Sequence, residues 1–271
     1  MKKGWILFTA LFLTGLWTSC SGPDETQSQL DILRETYGRV GLAHNEALML
    51  VYRDLAAECA ETRLTWEKGM EITDRCLGST PIPSLNAIIG PGKAEALPPY
   101  VTALLATPGI FAKPAANAVI MDALSDSIGI IKKHKGIYDR IVNILDSEPD
   151  TEAKIRELEQ LYLVIDAEVE SGEEKAGLMN GLSTVVHSLD YWDEHWHEWQ
   201  ETLTPGMQKT AAVGIIGAIG IIDGAGAVLG TVEGFLETQP GEDGRGWTIL
   251  KTAAMEGCKA SVGAALSIIL L

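Results

Sequence analysis

Residues 191–201, "YWDEHWHEWQE", place three tryptophans, two histidines and a run of acidic side chains in eleven positions. Such residues could ligate a metal through His195, His197 and a carboxylate, or stack Trp192, Trp196 and Trp199 on a sugar. The spacing opposes a metal. His195 and His197 are two apart, so a helix points them roughly 200° from one another. There is no HExxH pattern to set two histidines on one helical face, and the ladder of His187, Tyr191 and His195 at four-residue steps is a weaker signal. Helical periodicity supplies another expectation. Leu182, Val185, Leu189, Trp192, Trp196, Trp199 and Leu203 recur at three- and four-residue steps, which makes a continuous apolar stripe. Asp190, Asp193, Glu194, His197, Glu198 and Glu201 then fall largely on the solvated side. We expect a tryptophan-lined core face with no metal and no cofactor; sugar stacking and metal ligation are the alternatives.

Two further polar residues sit where apolar ones belong. Asp223 is the single charge in the 23 residues from Thr210 to Val232, and an unpaired carboxylate there costs several kcal/mol. His44, beside Asn45, falls on the apolar face of an N-terminal helix. The expectation is one buried polar cluster of His44, Asn45, Tyr191 and Asp223. Alternatively, Asp223-Gly224 breaks its helix and leaves the carboxylate in water. A catalytic His–Asp pair would also need a nucleophile, and no G-x-S-x-G elbow or cysteine placed with a base is present. "GPGK" at 90–93 lacks the spacing of a phosphate-binding P-loop. No catalytic residue is expected.

The elements that must position these residues are helical almost throughout. From 26 to 62, Leu30, Leu33, Tyr37, Val40, Gly41, His44, Leu48, Val51 and Leu55 share one face. A second arm is expected over 64–77, and further helices over 117–146, 150–171 and 176–203. Ser147 with Asp150 reads as a capping box, and Thr204-Pro205 as an N-cap with a first-turn proline. Residues 78–116 hold seven of the eleven prolines. Long helices do not run through that density, so short helical pieces crossing the bundle are expected.

After residue 205 the composition changes. Glycines at 214, 217, 220, 224, 226, 230 and 234 recur in an apolar segment, a spacing that lets helix backbones approach closely. A polar turn follows, and Trp247–Leu271 forms a second apolar arm carrying Gly257, Ala260, Gly263 and Ala264. The expected fold is all-α: an amphipathic bundle over 30–205 and a glycine-zipper hydrophobic hairpin over 206–271.

The N-terminus carries an address. Lys2 and Lys3 precede an apolar run from Gly4 to Trp17, too short to span a bilayer but typical of a signal peptide. Leu16-Trp17-Thr18-Ser19-Cys20 resembles a bacterial lipobox, apart from Trp17 where an aliphatic residue is usual. Residues 1–19 read as a signal peptide, Cys20 as the lipidation site and 20–29 as a polar tether; a plain secretory signal is the alternative. Losing Lys2 and Lys3 takes the formal charge from −16 to −18, which argues against nucleic acid as a partner. Of the other cysteines, Cys59 and Cys76 are the local candidates for a disulfide in an oxidising compartment, with Cys258 left over.

Three islands, "YGRVGLAHNEAL" (37–48), "SLDYW" (188–192) and "DGAGAVLG" (223–230), together resemble an uncharacterised family of exported Bacteroidota proteins. The resemblance implies a compartment and an architecture, and no activity. Two functions follow as expectations. One is a non-catalytic, lipid-anchored envelope protein whose hairpin serves close packing or self-association. The other is a membrane-active protein that inserts the hairpin, like the pore-forming domains of colicins in architecture alone.

Overall fold

The computed structural model describes residues 23–60, 62–85, 87–88, 116–147, 150–205 and 213–270. Residues 1–22, on which the expected signal peptide and the Cys20 lipidation site fall, most of the Pro-rich crossover and the 206–212 connection lie outside the described residues. Those described form an all-α, multi-helix fold with a hydrophobic C-terminal helical hairpin.

Helix α1 spans Pro23–Cys59, so the expected tether is helical from residue 23 onward. Its inner face carries Leu30, Val40, Ala43, His44, Ala47, Leu48, Val51 and Leu55, all buried. Helix α2, Trp66–Ser79, starts where the Thr65 hydroxyl accepts the Lys68 amide at 3.3 Å. The next segment departs from the helical expectation. Pro81–Ile82 and Ala87–Ile88 pair as a two-residue antiparallel ladder (β1, β2) around a 3₁₀ turn at Pro83–Leu85. Pro81 and Pro83 favour extended and turn backbone over helix.

The single helix expected over 117–146 is three: α3 (Ala116–Ser127), α4 (Gly129–Lys133) and α5 (Lys135–Ser147). Helix α6 covers Thr151–Glu168. Asp150 itself is its N-cap, accepting the Ala153 amide at 3.1 Å, so Ser147 belongs to the end of α5. Helix α7, Gly172–Leu203, opens four residues earlier than expected, because the Ser171 hydroxyl accepts the Glu174 amide. Thr204 ends α7 instead of starting the next helix: its amide returns to the Gln200 carbonyl at 3.0 Å. The tryptophan stripe is core, with Trp192, Trp196 and Trp199 all 0% exposed. That burial removes the sugar platform.

The hairpin is α8 (Val213–Glu237) and α9 (Arg245–Leu270). Its turn uses Gly241 and Gly244 at φ of 82° and 84°, the left-handed region open to glycine. α8 is covered by α3, α5 and α7, and α9 by α1, α2 and α7. The seven glycines divide by position. A methyl on Gly226 would lie 2.6 Å from the Glu256 carbonyl, one on Gly234 2.6 Å from the Ile249 Cα, and one on Gly230 would overlap the Thr252 carbonyl. These three hold the two arms together. Gly224 serves the α7 crossing, where a methyl would meet Val185 at 2.5 Å and the Gly181 carbonyl at 2.9 Å. Gly217 and Gly220 face side chains at 3.3 and 3.4 Å, and Gly214 is exposed with nothing near it. The zipper is therefore narrower than the glycine spacing suggested: spacing alone does not say which face of the helix meets backbone.

Candidate functional site

Asp223 lies in the eleventh position of an unbroken α8 and is 0% exposed, which excludes the broken, solvated helix. Four helices meet at its carboxylate. Ser188 of α7 and Ser261 of α9 both donate to Oδ2, the latter at 2.8 Å. His44 of α1 brings Nε2 within 3.5 Å of the same oxygen. On the other side of the ring, Nδ1 is 2.9 Å from Asn45 Oδ1, while Asn45 Nδ2 donates to the His187 carbonyl at 2.9 Å. That second bond fixes the amide orientation, so His44 Nδ1 is the donor to Asn45. Nε2 therefore faces a carboxylate oxygen, a contact that is attractive only with a proton between them.

Three of the four expected members come together here, and the fourth sits one layer out. Tyr191 accepts the Trp199 indole N–H at 3.0 Å and packs edge-on against Trp192, with ring centroids 5.2 Å apart. Burial pushes its phenol up. Trp192 connects the layers, because its indole donates to Ser261 Oγ at 3.0 Å and Ser261 donates to Asp223. Neither Ser188 nor Ser261 is conspicuous by type or spacing in the sequence. Ser188 lies within the "SLDYW" island on the inner face of α7, and a buried carboxylate requires donors from neighbouring helices. Ser261 had no comparable signal.

Serine, histidine and aspartate invite comparison with a nucleophilic relay, in which the imidazole stands between the other two. Here both serines and the imidazole converge on one carboxylate oxygen. His44, Ser188, Asp223 and Ser261 are all 0% exposed. The arrangement gathers a donor from α7, a donor from α9 and the α1 imidazole on one carboxyl oxygen, and so ties α1, α7, α8 and α9 together.

A second polar layer lies further along the hairpin. Lys259 of α9 pairs with Asp74 of α2 at 2.7 Å. Glu256, one turn earlier, is 7% exposed, and its Oε1 has no hydrogen-bond partner among the described residues. Burial raises its carboxyl to about 8; Lys259 offsets part of this, while Glu233 and Asp74 add to it. The folded chain thus holds a proton that the unfolded chain releases above about pH 4.5. Stability is highest below that pH and falls as pH rises towards 8. Glu256→Gln, which keeps the shape without the charge, should raise the unfolding free energy at pH 8 by about 4 kcal/mol and leave it little changed at pH 4.5. Urea titrations at the two pH values measure this; equal effects at both would remove the linkage.

The expected Cys59–Cys76 disulfide is absent: all three described cysteines are free. Burial, and after it the neighbouring Asp54, push the Cys76 thiol up. The antiparallel α1–α2 pair thus sets Cys76 against Asp54, more than a helical turn short of Cys59 (five residues, ~7 Å of helix).

No protein-family model, curated protein or solved structure matches the chain.

Proposed function

We propose that this chain is a non-catalytic, lipid-anchored protein of the bacterial cell envelope, a helical scaffold or interaction module held at the outer membrane through Cys20. One observation carries the scaffold reading. The apolar windows of Gly214–Glu237 and Arg245–Leu270 are each 89% buried inside the protein's own bundle. Gly226, Gly230 and Gly234 face α9, and Gly224 faces α7, so these close-packing glycines are used within the chain. That supports a hairpin serving as the central packed element, ahead of one serving self-association. The sealed His44–Ser188–Asp223–Ser261 cluster supports the non-catalytic part. The lipobox-like residues 16–20 and the acidic composition support the envelope address.

A membrane-active reading has its own observation. Both arms are long and apolar enough to cross a bilayer, with mean hydropathies of 1.9 and 1.4. Opposing it is Asp223 near the middle of the first arm, since an ionised carboxylate at the bilayer centre is costly. Dye release from liposomes, using the chain from residue 21 at pH 7 and pH 5, separates the two. Intact vesicles at both pH values are expected. Rapid leakage at either pH would replace the scaffold reading with the membrane-active one.

A further inference from the structure

Where α1 runs along α7, three titratable side chains form a line from the surface to the centre: His187, half-buried, then His44, then Asp223. The His187 ring is wedged into the seam. A methyl on Gly41 would overlap it, and one on Gly38 would lie 3.9 Å from Cε1. Nδ1 of His187 donates to the Ser183 carbonyl at 2.9 Å, and Ser183 Oγ accepts the Gly41 amide at 3.2 Å. Asn45 closes the seam one turn on by bonding the His187 carbonyl. His44 is also where α1 rests on the hairpin: a methyl on Gly257 would lie 3.3 Å from its Cδ2, and its Nε2 faces Asp223.

We propose that this seam is an acid-operated latch: a proton added to His187 sets a positive charge in the seam beside the buried His44 ring, lifts α1 from α7 and uncovers the α8–α9 hairpin. The groups facing the line are few. On α1 there are His44 and Asn45; on α7, Asp190; on α6, Tyr162 beside Ser183; beyond His44, Asp223 on α8 and Cys258 on α9. Burial, and after it the neighbouring His44, hold His187 below its ordinary range; the Ser183 carbonyl and Asp190 act in the opposite direction. A histidine lowered in this way contributes stability that is present above about pH 6.5 and lost as pH falls through the lowered value. Glu256 has the opposite sign, stabilising as pH falls, so it cannot imitate an acid opening. The latch operates in buffer and needs no membrane.

Hydrogen exchange on the purified full chain tests it. After correction for intrinsic rates, residues 38–48 and 180–190 should exchange roughly tenfold or more faster at pH 5 than at pH 7.5, the scale of one proton-linked unit. Protection at the far end of α9 should hold. His187→Gln, whose amide does not titrate, should keep the pH 7.5 protection at pH 5. Unchanged protection in the parent chain, or a variant that opens as the parent does, overturns the latch. Should the variant fail to fold, the parent chain still decides: opening must deepen with falling pH by one proton per event, and a flat profile overturns the proposal.

Discussion

Replacing Asp223 by alanine is expected to lower the unfolding free energy by about 3–5 kcal/mol. The change removes the common acceptor of Ser188 and Ser261 and the carboxylate facing His44 Nε2, three groups that are all 0% exposed. None can turn to water. The small cavity left by the carboxylate adds to the loss, though the missing hydrogen-bond partners dominate it. Urea denaturation followed through tryptophan emission is a suitable readout, because Trp192 donates to Ser261 and so reports on the layer next to the lost carboxylate. A change of less than about 1 kcal/mol would mean that the four-helix junction does not depend on this charge.

The conservative variants refine that result. Asp223→Asn keeps one acceptor oxygen but presents N–H groups among donors, so it should fall between the parent and the alanine variant. Ser188→Ala and Ser261→Ala each delete one donor to Oδ2. Both serines act on the same atom, so the double mutant should depart from additivity, as contacting residues in one network do. Simple addition of the two losses would indicate separate local effects.

Much of this architecture is legible in residue periodicity. The stripe from Leu182 to Leu203 and the inner face of α1 follow from three- and four-residue steps; the stripe is buried throughout, and on the α1 face only Leu33 and Tyr37 among the named apolar residues are half-buried. The two apolar arms joined by a polar turn are equally direct. Capping residues were less legible: Ser147, Asp150 and Thr204 all favour helix ends, and only the chain path decides which end each serves. The 3₁₀ turn and short ladder at 81–88 depend on where Pro81 and Pro83 leave the backbone, which a hydrophobic pattern does not encode. At the site, Asp223 and His44 announced themselves as polar residues in apolar surroundings. Ser188 and Ser261 did not, because a serine on a helix face is common and its role comes only from the carboxylate opposite. The cysteine pairing failed for a related reason. Sequence proximity suggested Cys59 and Cys76, while the register of two antiparallel helices set Cys76 against Asp54.

Gly230→Leu is expected to abolish the native fold at 25 °C, whereas Gly214→Ala should shift stability by no more than a few tenths of a kcal/mol. The two glycines lie in the same helix and the same sequence pattern, so the difference isolates packing from propensity. At Gly230 a Cβ would overlap the Thr252 carbonyl and lie 2.8 Å from the Ala253 Cα. Those are backbone atoms of α9, and they move only if the whole arm moves. Gly230→Ala alone should cost roughly 2–3 kcal/mol by overpacking. A leucine would separate the arms and pull Asp223 away from Ser261 on the opposing helix. At Gly214 the side chain enters open space, and alanine's better helix propensity offsets any loss. Gly217→Ala should fall between the two, because its nearest neighbour at 3.3 Å is the Asn117 amide, a buried side chain held by its bond to Asp146 at 2.6 Å. Circular dichroism melts of the four variants measure the series. Equal tolerance at 214, 217 and 230 would mean that the arms are not held by close backbone approach, and the hairpin's buried apolar side chains would then have to hold them alone.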